Sequence, residues 1–221
     1  MPSRGGRALT PSGIILVDKP AGPTSFAIVA AVRRGTGART GHAGTLDPFA
    51  TGLLLLLSGA STKLQPRFVG LDKRYRTEID LGARTTTGDP EGEIVDQHEP
   101  LTPSELEEQV ADLRGVVGLP IPAASAVKID GERAYRLHRR GVVVDMPVRQ
   151  MTIHDLEVVG YEDGIAHLDL HVSSGTYVRS IAEALGGHCR ALRRTDIGPF
   201  SVDEADADTL LSPEEALARL A

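Results

Sequence analysis

Residues 161–172 read YEDGIAHLDLHV, and this stretch decides the fold class. Asp163 and Gly164 form a dipeptide that typically closes a two-residue β-hairpin turn. After the turn, apolar and polar residues alternate, which is typical of a strand with one buried face. The apolar segment before the turn, residues 151–159, also favours a strand. The two segments therefore predict a pair of antiparallel strands.

Other segments predict further strands and several helices. The strands are short apolar or alternating runs at residues 13–17, 53–57, 75–81 and 142–144. Helices are indicated by capping residues and apolar periodicity near residues 24–34, 61–69, 102–113, 132–140, 178–185 and 212–220. Strands and helices do not alternate regularly along the chain. The sequence therefore predicts an α+β fold with a mixed, largely antiparallel sheet and flanking helices.

The composition excludes several classes of protein. With 221 residues, 41% of them hydrophobic and 24% charged, the chain is typical of a globular protein of one or two domains. Its longest aliphatic run, residues 53–57, is far shorter than the ~20 residues of a membrane-spanning helix, so no membrane association is expected. The single cysteine, Cys189, excludes a disulfide framework and a cysteine-rich zinc site. This cysteine usage favours a reducing compartment, and we expect a cytoplasmic protein.

Charged residues are arranged in blocks. The net charge is −6, but residues 1–86 carry 12 Lys and Arg against 5 Asp and Glu. Residues 128–149 carry 6 against 3, and a third basic block includes Arg190, Arg193 and Arg194. A polyanion responds to the local field rather than to the net charge. The basic blocks are therefore consistent with phosphate contacts as well as with ordinary solvated faces.

A glycine-rich loop contains a candidate catalytic carboxylate. Residues 41–48 read GHAGTLDP, and Pro48 disfavours helical geometry at Asp47. The aspartate is therefore presented on extended backbone. An Asp-Pro turn, in which the carboxylate bonds its own backbone, explains the same residues. The loop lacks the lysine of a phosphate-binding loop, which excludes that class of site.

Two further segments contain candidate binding residues. Tyr75 follows a basic pair at the start of a strand, where its ring is either part of the core or a surface for stacking on a base. In the segment SGTYVR, Gly175 favours extended backbone, which would point Tyr177 and Arg179 in the same direction. An arginine that faces a cleft there requires a carboxylate or phosphate partner.

Taken together, these segments resemble the TruB family of tRNA pseudouridine synthases. The resemblance rests on GIILVDKPAGPTS at 13–25, GHAGTLDPFATGLL at 41–54, KRY at 73–75, SAVKIDGERAY at 125–135, SSGTYVRSIA at 173–182 and ALRRT at 191–195. It implies the pseudouridine synthase catalytic fold. It also implies an isomerase that converts uridine to pseudouridine at position 55, in the T loop of tRNA. The implied reaction needs neither a metal nor another cofactor.

The resemblance implies catalytic roles for three residues. Asp47 corresponds to the catalytic aspartate of the family. Tyr75 corresponds to the residue that stacks on the target uracil and assists proton removal from C5. Arg179 corresponds to the residue that pairs with the aspartate and keeps it anionic.

The same resemblance implies further residues around the site. His42 would contact the T loop and help to hold the target base out of its stack. Tyr177 would line the pocket, and Leu192 would close it around the base. Lys19 and Pro20 would form a structural motif beside the site.

The resemblance also predicts the domain organisation and the partner. Residues 1–12 are expected to be a flexible tail, and residues 13–221 a single catalytic domain. Within it, residues 128–149 are expected to form a basic thumb that presses on the T-stem. The small RNA-binding PUA domain that ends many family members is expected to be absent. The expected partner is the T-stem and loop of tRNA, and the protein is expected to be a monomer.

Three alternatives remain open at the level of sequence. One is a non-catalytic RNA-binding or tRNA-folding protein on the same scaffold, and another is a synthase that acts on a different RNA. The third is a metal site, because His167, Asp169 and His171 share one strand face and His188 precedes Cys189. A strand face of this pattern is more often solvated surface, because metal ligands converge from several elements.

Overall fold

The computed structural model describes residues 12–220. The predicted flexible tail therefore lies outside the described residues, apart from Ser12. The strands of the described chain are β1 (Gly13–Lys19), β2 (Thr40–His42), β3 (Thr51–Ser58), β4 (Lys73–Asp80), β5 (Ala83–Thr85), β6 (Ile94–Gln97), β7 (Gly115–Pro120), β8 (Lys128–Ile129), β9 (Glu132–Arg133), β10 (Val148–Glu162), β11 (Ile165–Val172), β12 (His188–Ile197), β13 (Phe200–Ser201) and β14 (Asp206–Leu211).

Its α-helices are α1 (Ser25–Thr36), α2 (Gln65–Val69), α3 (Pro103–Asp112), α4 (Ala134–Arg139), α5 (Val178–Ala184) and α6 (Pro213–Ala218). The described residues divide into two compact units. The first unit contains residues 12–71 and 196–220, and the second contains residues 72–195.

The strands of the first unit are buried on both faces. β1 pairs antiparallel with β3 and with β14, and β2 pairs antiparallel with β3. On one face, Leu16 and Leu55 belong to a cluster with Phe68 and Phe200. On the other face, alternate residues of β1 and β3 pack against Val29 of α1. A strand covered on both faces requires consecutive apolar residues, which is why these runs do not alternate.

Helix α1 begins as its sequence predicts but ends later. The Thr24 hydroxyl accepts a hydrogen bond from the backbone N–H of Ala27 at 3.1 Å, which makes Thr24 the N-cap. Gly35, expected just beyond the helix, lies inside it. The helix instead ends at Gly37, whose φ of 66° is the left-handed conformation that glycine adopts without strain.

The second unit contains the predicted antiparallel hairpin. Its strands follow the order β12, β4, β11, β10 and β7, and β11 pairs antiparallel with β4 and β10, as β10 does with β7. Asp163 and Gly164 have φ values of 49° and 79°, as the turn of a two-residue hairpin requires. The buried and exposed residues of β4 and β11 alternate, as predicted. The predicted α+β fold with a largely antiparallel sheet is confirmed.

The predicted strand at residues 142–144 is wrong. These residues lie in irregular chain between α4 and β10. Val143 is 98% exposed, so its side chain has no packed surface to contact. β-branched residues favour strands because they pack well on a pleated, half-buried surface, and without that packing their preference alone is insufficient.

Truncation of the core of the first unit should destabilise the protein. Leu55 is fully buried between its strand neighbours, so Leu55→Ala should lower the free energy of unfolding by about 2–5 kcal/mol. Urea denaturation followed by circular dichroism measures this change. Val143→Ala, at an exposed position, is the control and should change stability by less than about 0.5 kcal/mol. Equal losses in the two variants would contradict the assigned core.

Candidate functional site

The loop that carries Asp47 is held by a buried lysine. Lys19, at the end of β1, is completely buried. Its ammonium group donates hydrogen bonds to the carbonyl oxygens of Pro20 (2.8 Å), Pro48 (3.1 Å) and Ala50 (2.7 Å). An ammonium group has three N–H donors, and these three acceptors compensate for the water it loses on burial. Two of the three lie immediately beyond Asp47, so Lys19 sets the path of the loop on that side.

A second contact holds the loop on the other side of Asp47. The Ser25 hydroxyl donates to the carbonyl oxygen of Leu46 and accepts from its N–H, both at 2.8 Å. Ser25 is the first residue of α1 and is buried. The backbone on both sides of Asp47 is therefore fixed by side chains from β1 and α1.

The backbone at Asp47 forms a turn. Its carbonyl oxygen accepts a hydrogen bond from the N–H of Ala50 at 3.2 Å, while the N–H of Gly22 donates to the carbonyl oxygen of Pro48 at 2.8 Å. The turn interpretation of the Asp-Pro pair is thus correct for the main chain. The Asp47 residue is half-buried. A pinned, half-buried position is suited to holding a reactive carboxylate in one place.

His42 lies at the end of β2 in the first unit. Its carbonyl oxygen accepts a hydrogen bond from the side-chain amide of Gln65 at 2.7 Å. The next residue, Ala43, is buried and donates its N–H to the carbonyl oxygen of Leu55 at 2.9 Å. The first contact joins His42 to α2, and the second attaches the start of the glycine-rich loop to β3.

Tyr75 lies in the second unit, on the buried face of β4. It is paired in register with Leu170 of β11 and is 9% exposed. Lys73 lies on the same face, and its ammonium group is 3.3 Å from the hydroxyl of Ser174. Burial, followed by repulsion from the positive charge of Arg194, lowers the pKa of Lys73 to about 8. The buried face of β4 is therefore less basic than its sequence indicates.

Arg179 is buried in the second unit and has a carboxylate partner there. Its side chain is 3% exposed, and its Nη1 atom is 3.4 Å from Oδ2 of Asp89. The guanidinium also donates to the carbonyl oxygens of Thr87 (2.8 Å) and Ala124 (3.2 Å). A buried guanidinium requires such acceptors, because an unpaired charge away from water is costly.

Asp89 is in turn held by its own loop. The Thr87 hydroxyl donates to Oδ1 of Asp89 at 2.6 Å, and the N–H of Glu91 donates to the same oxygen at 3.0 Å. The sequence analysis missed Asp89, because it lies in a polar, acidic segment with the character of a surface loop. The available signal was its Asp-Pro dipeptide, the same pair that marks Asp47.

The predicted extended backbone of the SGTYVR segment is found at Tyr177 but not at Arg179. Tyr177 has the extended backbone expected of it, with φ of −104° and ψ of 112°, and it caps α5. Arg179, however, lies in the first turn of α5. The prediction that the two residues share extended backbone is therefore wrong, because the helix begins at Val178 and directs the arginine by helical geometry.

The third basic block, with Arg190, Arg193 and Arg194, is available for phosphate contacts only in part. Arg194 is 1% exposed, so it is not a surface residue for phosphate contacts. Arg190 is exposed, with its Nε atom 3.9 Å from a carboxylate oxygen of Glu78. Leu192, on the same strand, is 8% exposed. Arg190, Leu192 and Arg194 share one face of β12, so exposure on this face changes along the strand, from exposed at Arg190 to buried at Arg194.

The structure places the sequence-predicted site residues in both units. Lys19, Pro20, His42 and Asp47 belong to the first unit, where Lys19 donates to the carbonyl oxygens of Pro20 and of Pro48, the residue after Asp47. The second unit contains Tyr75, Tyr177, Arg179 and Leu192. The pairing of Asp47 with Arg179 stays a prediction. Within residues 12–220, no helix has the length and apolar character needed to cross a bilayer.

Comparison with known proteins identifies the family. The model of the TruB family pseudouridylate synthase (N terminal domain) matches residues 33–178. The chain is 45% identical to tRNA pseudouridine synthase B of Leifsonia xyli subsp. xyli, over 93% of this chain and 74% of that protein. The chain belongs to the TruB family of pseudouridylate synthases. The chain is also 42% identical to tRNA pseudouridine synthase B of Thermobifida fusca, over 87% of this chain and 72% of that protein.

Solved structures agree with the family assignment. The crystal structure of a Cbf5-Nop10-Gar1 complex matches with a TM-score of 0.68 and 26% identity, over 87% of this chain and 50% of that chain. A crystal structure of pseudouridylate synthase matches with a TM-score of 0.52, over 97% of this chain and 76% of that chain. At 16% identity the second match shows the fold alone. The pseudouridine synthase fold implied by the sequence is therefore confirmed.

In this TruB family member, Lys19→Met should loosen the Asp47 loop. Methionine keeps most of the side-chain volume but leaves buried carbonyl oxygens without their donor, which should cost about 1–3 kcal/mol of stability. Hydrogen exchange followed by mass spectrometry should show faster exchange of residues 43–50. Lys63→Met, at an exposed lysine of the same unit, is the control. Unchanged exchange in Lys19→Met would show that the ammonium group does not hold the loop.

Proposed function

We propose that this chain converts uridine to pseudouridine at position 55 of tRNA, with Asp47 as the catalytic aspartate. Family membership supports the reaction, and relatives named tRNA pseudouridine synthase B support tRNA as the substrate. The observation that carries the assignment of Asp47 is the fixation of its loop. Side chains from β1 and α1 hold the main chain on both sides of this aspartate.

The proposed reaction is an isomerisation without net oxidation. The bond between N1 of uracil and C1′ of ribose breaks, the base turns, and a bond forms between C5 and C1′. C5 loses its proton and N1 gains one, so the atoms balance. Such a reaction requires a carboxylate that is ionised at neutral pH and can act as a nucleophile. It also requires a base that has been taken out of its stack. No electron acceptor or activated co-substrate enters the balance.

The remaining site residues are assigned by role. Arg179 is proposed to pair with the Asp47 carboxylate and to orient it, while the contact with Asp89 fixes the guanidinium within the second unit. Five N–H donors on one guanidinium are compatible with acceptors on more than one side. Tyr75 is proposed to stack on the uracil and to assist removal of the C5 proton.

Around the base, His42 is proposed to contact the T loop, and Tyr177 and Leu192 to enclose the uracil. Lys19 and Pro20 are proposed to act structurally, through the loop of Asp47. The protein is proposed to act as a cytoplasmic monomer without a cofactor.

The segment proposed to contact the T-stem is residues 128–149. Its helix, α4, ends in basic residues, and the guanidinium carbons of Arg136 and Arg139 lie 5.9 and 5.6 Å from the ring centroid of Tyr135. Arg140 makes a two-pronged contact with the carboxylate of Glu132, at 2.8 and 2.9 Å. Guanidinium groups arranged on a short, exposed helix are suited to phosphates, which they bind through charge-assisted hydrogen bonds.

The central experiment uses an unmodified tRNA transcript and maps pseudouridine by mass spectrometry. The wild-type protein should modify position 55. Asp47→Asn should abolish the product while tRNA affinity, measured by filter binding, stays within roughly twofold, because the amide keeps the shape but loses the nucleophilic anion. Asp208→Asn, at an exposed aspartate of the same unit, is the control and should retain activity.

Three results of this experiment would contradict different parts of the proposal. Product at another position, or only in another RNA, would contradict the substrate assignment. Tight tRNA binding without product in the wild-type protein would favour a non-catalytic RNA-binding protein. Product formation by Asp47→Asn at a few per cent of the wild-type rate or more would show that Asp47 is not the nucleophile.

Asp89 should act on the reaction through Arg179. Asp89→Asn removes the charge that fixes the buried guanidinium, so we expect the single-turnover rate to fall by roughly tenfold or more while tRNA affinity changes little. Asp112→Asn, an exposed change in the same unit, is the matched control. A wild-type rate in Asp89→Asn would assign the contact between Asp89 and Arg179 a purely structural role.

A second pair of variants tests Arg179 itself. Arg179→Lys should recover part of the activity that Arg179→Ala loses, since an ammonium group keeps the charge but lacks the planar fork of the guanidinium.

A further inference from the structure

Two histidines and one aspartate of the second unit converge on a small volume. They are Asp72, just before β4, His154 of β10 and His171 of β11. The Nε2 atoms of His154 and His171 lie 3.2 and 3.9 Å from Oδ2 of Asp72. One ligand atom from each residue lies within 4.8 Å of the other two. The two imidazole rings have centroids 4.8 Å apart and are tilted by 43°.

A bulge in the sheet explains how His154 reaches this position. Ile153 of β10 pairs with Val172, and Asp155 pairs with His171, so the register shifts at His154. Two residues of β10 then oppose one residue of β11, which is the arrangement of a β-bulge. Accordingly, His154 and Asp155 are both exposed, and the extra residue turns His154 towards His171. Bulges are known to redirect single side chains in this way.

The cluster lies on the face of β4 opposite Tyr75. His171 is in register with Arg74, which is exposed, whereas Tyr75 is in register with the buried Leu170. Side chains of a strand alternate between its two faces. The cluster is therefore separate from the residues assigned to the isomerisation, and its proposed role does not rest on that function.

We propose that Asp72, His154 and His171 bind one Zn²⁺ ion, with water as the fourth ligand. Imidazole nitrogens and carboxylate oxygens are the donors that zinc accepts besides thiolate, at about 2.0–2.2 Å. In tetrahedral geometry such bonds place the donors roughly 3.3 Å from one another. The observed separations need only small side-chain rotations to reach this value. Three protein ligands from three separate segments form the incomplete set that leaves one position for water.

Two further charged residues, one on β4 and one on β10, act on the cluster. Arg74 of β4 lies opposite His171, and Asp155 of β10 follows His154. With Asp72, the carboxylates outnumber this arginine. The Oδ1 atom of Asp155 accepts a hydrogen bond from the N–H of Leu156 at 3.0 Å, so this carboxylate is oriented by its own backbone. The positive charge of Arg74 opposes these two carboxylates, so it is the donor atoms rather than the local field that suit the cluster to a metal ion.

The sequence pattern His167, Asp169 and His171 does not itself form the site. The carboxylate of Asp169 is 3.6 Å from Nε of Arg76, and both side chains are largely solvated. Only His171 of that pattern belongs to the cluster. His188 is likewise engaged elsewhere, because its Nδ1 atom is 2.9 Å from the carbonyl oxygen of Ala83. The candidate ligands come from strand pairing rather than from spacing in one strand.

Isothermal titration of the untagged full-length chain with zinc chloride, after removal of bound metal with a chelator, tests the proposal. The wild-type protein should bind one ion per chain. His154→Ala and Asp72→Asn should each weaken the affinity by roughly tenfold or more, because each removes one of only three bonds from the protein to the ion. His167→Ala, a histidine on the same face of β11, is the matched control and should leave the affinity unchanged.

Two results would overturn the proposal. One is the absence of stoichiometric zinc binding by the wild-type chain, which would leave the cluster as an ordinary His–Asp contact. The other is equal affinity in His154→Ala and His167→Ala, which would place the ion elsewhere. Far-UV circular dichroism should show that all variants are folded, since the three changed residues lie at the surface. The visible spectrum of the Co²⁺ form gives a second readout, because it should change in Asp72→Asn but not in His167→Ala.

Discussion

The buried ammonium group of Lys19 is the interaction on which the Asp47 loop depends. Transfer of a charge out of water is costly unless its donors are satisfied. Three main-chain carbonyls accept hydrogen bonds from Lys19, and two of them belong to residues 29 and 31 positions further along the chain. The lysine can be buried only if the loop adopts this path, and the loop keeps this path because the lysine is buried. The burial of Lys19 and the position of the Asp47 backbone therefore depend on the same hydrogen bonds.

Arg179 shows the same principle in the second unit with a different cation. Its guanidinium binds two main-chain carbonyls and the carboxylate of Asp89. A planar guanidinium has donors in fixed directions, whereas an ammonium group is a compact charge. Lysine therefore suits a cage of carbonyls around one point, and arginine suits acceptors that approach from several directions. In each unit a buried cation organises the loop around an Asp-Pro pair, at residues 47–48 and 89–90.

Strand β4 separates two kinds of chemistry because its side chains alternate. Tyr75 and Lys73 lie on the buried face, where the pKa of the lysine is lowered to about 8. Arg74 and the neighbouring Asp72 belong to the opposite side, where the two histidines converge. The eight-residue strand β4 therefore has Tyr75, a residue of the proposed isomerisation site, on one face, while the other face is next to the cluster of Asp72, His154 and His171.

The sequence by itself determined the features that depend on near neighbours. The hairpin turn at Asp163 and Gly164, the alternation of β4 and β11, and the cap of α1 at Thr24 all follow from a few adjacent residues. The family followed from motifs that keep their order along nearly the whole chain, and with it the fold. These signals are readable because backbone geometry and side-chain period act over short distances.

Only the tertiary structure decided the features that join distant segments. The contacts of Arg179 reach residues up to 92 positions away, and no local pattern singles out Asp89 as its partner. The burial of Arg194 and the position of His154 depend on strand pairing and on one bulge. A shift of one residue in register would move every such side chain to the other face. Sequence therefore indicated candidate site residues, whereas the pairing of the strands decided what each of them contacts.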